Sequence, residues 1–140
     1  MDDTLRLELP ALPENVARVR SAVAERAEAY GLAAAVVADL KTVVSEACAN
    51  VVLHAYAGAG EPGPLEVEMS REAKSVKIVV RDRGAGIRPQ PKTTHKSLKM
   101  GLLLIGALAS SFQLSSGHGL GTELSMSFAC PLEADRPAMR

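Results

Sequence analysis

The sequence is poor in cysteine and carries no excess charge of either sign. Only Cys48 and Cys130 occur among 140 residues, without a CxxC pair or a Cys/His cluster, so both are expected to be reduced, structural thiols. Sixteen basic residues balance sixteen acidic ones, and no run of one sign is present. This balance excludes the charge signature of a protein that binds nucleic-acid backbones or anionic lipid, and we expect no nucleic-acid partner.

Long hydrophobic runs are also missing. The longest, "MGLLLIGALA", is too short to span a bilayer, and "MDDTLRLELP" at the N-terminus lacks the basic and apolar regions of a signal peptide. We therefore expect a cytoplasmic protein without a membrane partner. The composition is 47% apolar and 23% charged, which is typical of one globular domain. We assign 1–130 to that domain and 131–140 to a loose tail.

The periodicity of the first half predicts one strand and two helices. "LRLELP" alternates apolar and polar residues as a half-buried strand does. A helix is predicted from Pro13 to the neighbourhood of Gly31, since apolar residues recur on one face and proline suits a first turn. A second helix, from about Leu32 to Tyr56, is apolar on nearly all sides, which indicates burial against a sheet or a partner.

The second half predicts two hairpins separated by a loop and a helix. "LEVEMS" and "SVKIVVRD" alternate around a turn at "REAK", and "FQLSS" and "TELSMSF" flank a turn at "GHGLG". Between them lie a polar loop, "DRGAGIRPQPKTTHKSLK", and a helix that begins near Met100. The predicted fold class is α+β, a two-layer sandwich with three helices on one face of a mixed, mostly antiparallel sheet.

The stretch "VVSEACANVVLHAY" places two polar side chains in the apolar second helix. Glu46 and Asn50 are four residues apart, so they lie on the same helical face. An unpaired carboxylate is costly to bury, and asparagine is a poor residue for a helix interior, so each side chain needs a partner. From these residues alone, a satisfied polar pocket and a functional site are both open.

Other polar side chains near the predicted helices have ordinary structural explanations. His54, on the same face as Asn50, is expected to make a structural hydrogen bond. Tyr30 and Tyr56, near helix ends, are expected to pack with solvated hydroxyls. His95 and His118 lie in predicted loops, and the spacing of the three histidines gives no zinc signature.

Three further sequence features suggest a nucleotide site. Asp82 ends a predicted strand before Gly84 and Gly86, where a carboxylate can accept a hydrogen bond from an exocyclic amine such as that of adenine, and glycine permits close backbone approach. Gly101 stands at the first turn of the third helix, whose free N–H groups can hold phosphate. Thr122 follows a glycine at the start of the last strand, where its hydroxyl can support a purine or an ordered water.

Together these stretches resemble the Bergerat ATP-binding fold of the GHKL superfamily. "SEACANVVLHAY" is similar to the N box, "DRGAGI" to the G1 box, and "KMGLLLIGALASSFQLSSGHGLGTELSMSF" to the G2 region and final hairpin of the anti-sigma-factor serine kinases. The resemblance covers about residues 5 to 128. The phosphoacceptor helix pair that sensor histidine kinases carry ahead of this domain is not seen, so a stand-alone regulator is expected.

The resemblance implies a role for each matching residue. Glu46 would be the general base that takes the proton from a substrate serine, and Asn50 would coordinate the Mg²⁺ that bridges the ATP phosphates. Asp82 would accept from the adenine amino group, and Thr122 would complete the adenine pocket. The nucleotide-binding positions so implied are Asn50, Asp82, Gly84, Gly86, Ile87, Lys99, Met100, Gly101, Leu102 and Thr122.

The sequence departs from the family pattern before the third helix. Relatives commonly have Gly-x-Gly there, whereas this chain has Lys99-Met100-Gly101. Lys99 either supplies a cation to the phosphates or blocks the close approach that glycine permits. Many serine kinases of the family also carry an arginine a few residues earlier, where this chain has Ser97, so Lys96 or Lys99 would have to substitute for it.

The resemblance implies an ATP- and Mg²⁺-dependent serine kinase of a partner-switching system. Such a protein binds a sigma factor, phosphorylates a serine of a STAS-domain anti-anti-sigma factor, and is typically a homodimer, here through an exposed apolar face on the first helix or strand. The alternative is a nucleotide-binding regulatory module that holds its partner without efficient phosphoryl transfer. An ATPase of the repair or topoisomerase type is disfavoured because its long lid and transducer domain are not seen.

Overall fold

The helices follow the predicted positions, with one difference in the second. The computed structural model describes residues 3–84, 101–117 and 121–129. Helix α1 spans Pro13–Ala29 and α2 spans Ala34–Asn50. The predicted continuation of α2 to Tyr56 is wrong in form, because Val51–Ala55 is a π-helical turn. Such turns are frequent at functional sites.

The strands form one five-stranded sheet. They are β1 (Leu5–Pro10), β2 (Pro64–Glu72), β3 (Ser75–Asp82), β4 (Ser111–Gly117) and β5 (Gly121–Ala129). Their order is β1-β2-β3-β5-β4, and both predicted hairpins are present. Residues 101–108, between β3 and β4, are the described part of helix α3.

All four described pairings are antiparallel, so the α+β class is confirmed and the expectation of a mixed sheet is corrected. Pro10, the last residue of β1, pairs with Pro64, the first residue of β2. After the two helices, the chain therefore re-enters the sheet at the same end of the strands at which β1 left it, and β2 runs antiparallel to β1. Asp82 and Thr122 lie at that same end of the sheet, since they pair where β3 ends and β5 begins.

The core lies between one face of the sheet and the helices. Alternate residues of the strands point to that face and meet apolar side chains of α1, α2 and α3, as the period of two requires. The largest fully buried side chains are Leu40, Leu65, Met69, Ile78, Ile105 and Met126. Cys48 is buried among them as expected, and burial raises the pKa of its thiol to about 12. Cys130 and the tail at 131–140 lie outside the described residues.

The opposite face of the sheet is polar. Arg81 lies between two carboxylates, with its Nε 2.7 Å from Glu123 Oε1 and its Nη1 3.4 Å from Glu68 Oε2. These half-exposed pairs make the outer face hydrophilic and contribute little to stability. The predicted two-layer arrangement is thus present, with its apolar layer on one side only. None of the described helices has the length and apolar character needed to cross a membrane.

Candidate functional site

Two helices bring three of the predicted site residues together. A Cβ placed on Gly101 of α3 would lie 2.9 Å from Glu46 Oε1 and 3.1 Å from Asn50 Nδ2. Glu46 and Asn50 are half-buried, and within the described ranges neither side chain has a hydrogen-bond partner. The described residues therefore do not form a satisfied polar pocket around them. Instead, a carboxylate and an amide face the same glycine, which keeps the space beside them free.

A second group of predicted residues lies where β3 ends. Asp82 is only 7% exposed, and its Oδ1 accepts a hydrogen bond from the Gly84 N–H at 2.9 Å. The Thr122 N–H also donates to this carboxylate. Burial raises the pKa of Asp82, and the two backbone bonds oppose that rise. In the described residues no cation pairs with Asp82, so the structure holds a buried carboxylate with acceptor capacity left over.

Only glycine fits at position 84, because its backbone lies against another segment of the chain. A Cβ there would lie 2.0 Å from the carbonyl oxygen of Ala55, the last residue of the π-helical turn. Its φ is not positive. The close approach seen at Gly84 is to backbone, and the predicted approach to a ligand stays a prediction. The loop after β3 thus rests directly on the end of the helix that carries Glu46 and Asn50.

Gly121 was not predicted as a site residue, yet it packs against the end of β3 beside Asp82. Its φ is +81°, and a Cβ there would lie 1.9 Å from the carbonyl oxygen of Asp82. Both the left-handed backbone and the close approach require glycine. The only signal in the sequence was the glycine before Thr122. Its contact with Asp82 depends on the pairing of β3 with β5.

Tyr56 makes two contacts beside the end of β3 that the sequence did not reveal. Its hydroxyl donates to the Pro64 carbonyl and accepts from the Arg83 N–H at 2.8 Å. The expected solvated hydroxyl is therefore wrong for Tyr56, and burial raises the pKa of this phenol. The hydroxyl of Tyr30 also has a partner, the Asp3 carbonyl at 2.9 Å.

The structural hydrogen bond expected for His54 is not found among the described residues. Its Nε2 is buried and has no hydrogen-bond partner in the described part of the chain. Burial lowers the pKa of the imidazole, because the charged form loses water without gaining a counter-ion. Burial therefore disfavours the charged form of His54, which lies in the π-helical turn after α2.

The remaining predicted residues divide into two sets. Leu102 is half-buried and packs against the hydrophobic core, and Thr122 is the strand partner of Asp82. Gly86, Ile87, Lys99 and Met100 lie outside the described residues. The two roles considered for Lys99 therefore stay predictions.

The residues present suit a magnesium ion shared with phosphates. Asn50 offers an amide oxygen, a hard donor of the kind that Mg²⁺ prefers. Within the described ranges no cluster of three or more His, Cys, Asp or Glu side chains is present. A site completed by substrate phosphates and water needs only one or two protein ligands, so this donor set fits.

A comparison with known protein families identifies the class. The family model described as histidine kinase-like ATPase domain matches residues 9–128. The chain therefore belongs to the histidine kinase-like ATPase domain family, an ATP-binding family, and the predicted GHKL membership is confirmed.

Individual relatives narrow the class. The chain is 37% identical over 83 residues to the serine-protein kinase RsbW of Bacillus pumilus, an alignment that covers 59% of this chain and 51% of that protein. It is 32% identical over 131 residues to the anti-sigma F factor of Pasteuria penetrans, with 87% of each chain covered. These names confirm the predicted resemblance to anti-sigma-factor serine kinases.

A solved structure gives the same result for the fold. A crystal structure of the RsbU and RsbW domains of a Mycobacterium tuberculosis protein matches with a TM-score of 0.74 and 26% identity, covering 96% of this chain and 33% of that one. The chain thus spans about half the length of the Bacillus pumilus relative and a third of the Mycobacterium tuberculosis chain.

Gly101→Ala is expected to weaken ATP binding by at least about fivefold without unfolding the protein. The new methyl group would meet Glu46 Oε1 at 2.9 Å, so the carboxylate or α3 has to move. Alanine favours a helix over glycine, so the midpoint of thermal unfolding should not fall. Calorimetric titration with ATP and a thermal melt measure the two effects.

Gly106→Ala is the matched control for this change. Gly106 lies in the same helix and gains the same helix propensity, but its Cβ would meet the ring of Phe112 at 3.0 Å and not a site residue. This variant should bind ATP as the wild type does. Equal ATP affinities for the Gly101 and Gly106 variants would contradict the convergence of α2 and α3 on one site.

Proposed function

We propose that the chain is an ATP-dependent protein serine kinase of a partner-switching system. It binds a sigma factor and phosphorylates a serine of a STAS-domain anti-anti-sigma factor. The observation that carries the proposal is the meeting of Glu46, Asn50 and Gly101, together with the packing of Gly84, two residues after Asp82, against Ala55 at the end of the α2 segment. The names of the relatives, a serine-protein kinase and an anti-sigma F factor, support the same activity.

The phosphate end of the site would carry the transfer step. Glu46 takes the proton from the serine hydroxyl as its oxygen bonds to the γ-phosphorus, and the bond from that phosphorus to the β–γ bridging oxygen breaks to leave ADP. Asn50 would hold Mg²⁺ through its amide oxygen. When bound, Mg²⁺ neutralises the charge that develops on the phosphates. Gly101 keeps its backbone close to both side chains because it has no Cβ.

The other end of the site would select adenine. The Asp82 carboxylate, anchored by the N–H groups of Gly84 and Thr122, accepts from the 6-amino group of the base. A guanine nucleotide presents a carbonyl oxygen at this position, and an ionised carboxylate repels it. The Asp82 site therefore predicts a preference for ATP over GTP.

The larger organisation is part of the same proposal. The protein acts in the cytoplasm as a homodimer whose kinase domain occupies 1–130. In the described residues the exposed large apolar side chains are Leu53, Leu103, Leu104 and Phe112, which lie on the π-helical turn, α3 and β4. The surface expected on the first helix or first strand gains no support from these positions.

Asn50→Ala is expected to cost about 10- to 100-fold in ATP affinity with Mg²⁺ present and to change affinity little without it. The reason is that the amide oxygen acts on the nucleotide through the metal. Calorimetric titration of ATP and ADP, each with Mg²⁺ and with a chelator, measures the difference.

Thr42→Ala is the control for the Asn50 variant. Thr42 is an exposed residue of the same helix, and its hydroxyl donates to the Ala38 carbonyl one turn earlier. It should retain metal-dependent binding. If the folded wild type binds no ATP at all, the kinase proposal fails. If it binds ATP but holds a STAS-domain protein without transferring phosphate, the regulatory module without transfer is the correct description.

A further inference from the structure

Tyr56 stands where β2 and β3 stop pairing. Leu65 pairs with Asp82 in the last described pair of this ladder, so the next pair in register would be Pro64 with Arg83. A continued ladder would place the Arg83 N–H on the Pro64 carbonyl. Instead, the Tyr56 hydroxyl lies between these two groups, accepting from the Arg83 N–H and donating to the Pro64 carbonyl.

The hydroxyl therefore replaces one hydrogen bond of the ladder with two. A direct bond would extend the strand. The hydroxyl instead takes both backbone groups, which stay satisfied, while the Arg83 side chain is paired with Glu66 of β2 at 3.2 Å. The end of β3 is opened by a side chain that comes from outside the sheet.

The position of this opening matters because Asp82 is its neighbour. Gly84 donates to the Asp82 carboxylate and packs against the Ala55 carbonyl. Arg83, between Asp82 and Gly84, is held by Tyr56. Two consecutive residues of the loop are thus fixed to the end of the α2 segment, one through a hydroxyl and one through close packing.

The Tyr56 ring is itself fixed. A Cβ on Gly63 would lie 2.4 Å from the ring, so the ring lies directly over that glycine. Tyr56 is also the residue after the π-helical turn that continues from Asn50. The hydroxyl therefore joins the segment that carries the phosphate-end residues to the strand end that carries Asp82.

We propose that Tyr56 is a positioning residue of the nucleotide site, whose hydroxyl sets the exit of β3 and so aims the Asp82 carboxylate at the 6-amino group of adenine. This inference rests on the proposed ATP-binding function. Tyr56 does not touch the nucleotide in this scheme. It acts through the backbone at Arg83, and its effect should be confined to recognition of the base.

The test compares ATP with inosine triphosphate, which has a carbonyl oxygen in place of the 6-amino group. Tyr56→Phe should lower ATP affinity about 3- to 10-fold, as expected for loss of hydrogen bonds between neutral groups, and leave inosine triphosphate affinity near the wild-type value. The ratio of the two affinities then falls by the same factor. A merely structural role would weaken both nucleotides together and leave the ratio unchanged, and that result would overturn the proposal.

Tyr30→Phe is the matched control, since it also removes a tyrosine hydroxyl that is bonded to a backbone carbonyl, that of Asp3. It should leave both affinities unchanged. Failure of the wild type to bind ATP would refute the proposed function. Wild-type binding with a normal affinity ratio in Tyr56→Phe would refute this inference alone.

Amide hydrogen exchange on the nucleotide-free wild type tests the same contact without a substitution. Arg83 is the first residue after β3, yet its N–H should exchange slowly because the Tyr56 hydroxyl holds it. Slow exchange supports the proposal even if Tyr56→Phe does not fold. Exchange as fast as that of an open loop amide would overturn it.

Discussion

Glu46→Gln is expected to lower phosphate transfer to a STAS-domain serine by about 10²- to 10⁴-fold, the usual contribution of a general base. ATP affinity should stay near the wild-type value, because the amide has nearly the shape of the carboxylate and Asn50 remains in place. Glutamine cannot accept the serine proton at neutral pH. The substitution should therefore lower the rate of phosphate transfer and leave the affinity for ATP nearly unchanged.

Transfer of labelled phosphate from ATP to a candidate STAS-domain protein measures the Glu46 effect, and calorimetry on the same samples measures binding. Glu25→Gln, an exposed position on α1, makes the same chemical change away from the site and should transfer normally. Retained transfer in Glu46→Gln would remove Glu46 from the mechanism. The base would then have to be sought among other groups near Gly101.

The site residues that the sequence revealed are those with a local signal. Glu46 and Asn50 were found because two polar residues at helical spacing conflict with an apolar helix. Asp82 was found because it ends an alternating strand beside a glycine turn. Their assignment to one nucleotide site came from resemblance, since no periodicity relates residue 46 to residue 101. The contact of Gly101 with both side chains now supplies the physical connection.

The features that the sequence did not reveal depend on contacts between distant segments. Gly121 was not predicted, and the contact that Gly84 makes was not predicted, because backbone from β3 and from the π-helical turn passes within contact distance of them only in the folded chain. Tyr56 was assigned to packing because a tyrosine near a helix end has no local feature that shows which groups its hydroxyl will meet. The π-helical turn has no distinctive sequence either, since "VVLHA" suits an α-helix equally well. Tertiary contacts decide all four.

Asp82→Asn is expected to weaken ATP binding by about 10- to 150-fold, which corresponds to the ~1.5–3 kcal/mol of a hydrogen bond to a charged group. Asparagine can still accept through its oxygen, but it has no charge and presents an NH₂ group where the second carboxylate oxygen was. Inosine triphosphate should lose less affinity, because it has no amino group to donate. Titration of the two nucleotides against Asp82→Asn and the control Asp39→Asn measures the difference.

The pH dependence provides an independent check on Asp82. Burial raises the pKa of this carboxyl, so acidification protonates it at a higher pH than it would an exposed aspartate. The protonated form cannot act as a charged acceptor, and ATP affinity should fall as the pH decreases through the raised pKa. Asp82→Asn carries no such group, and its weaker affinity should lack this component. Parallel pH profiles for the wild type and Asp82→Asn would show that the buried carboxylate does not recognise the base, since protonation of ATP itself contributes equally to both.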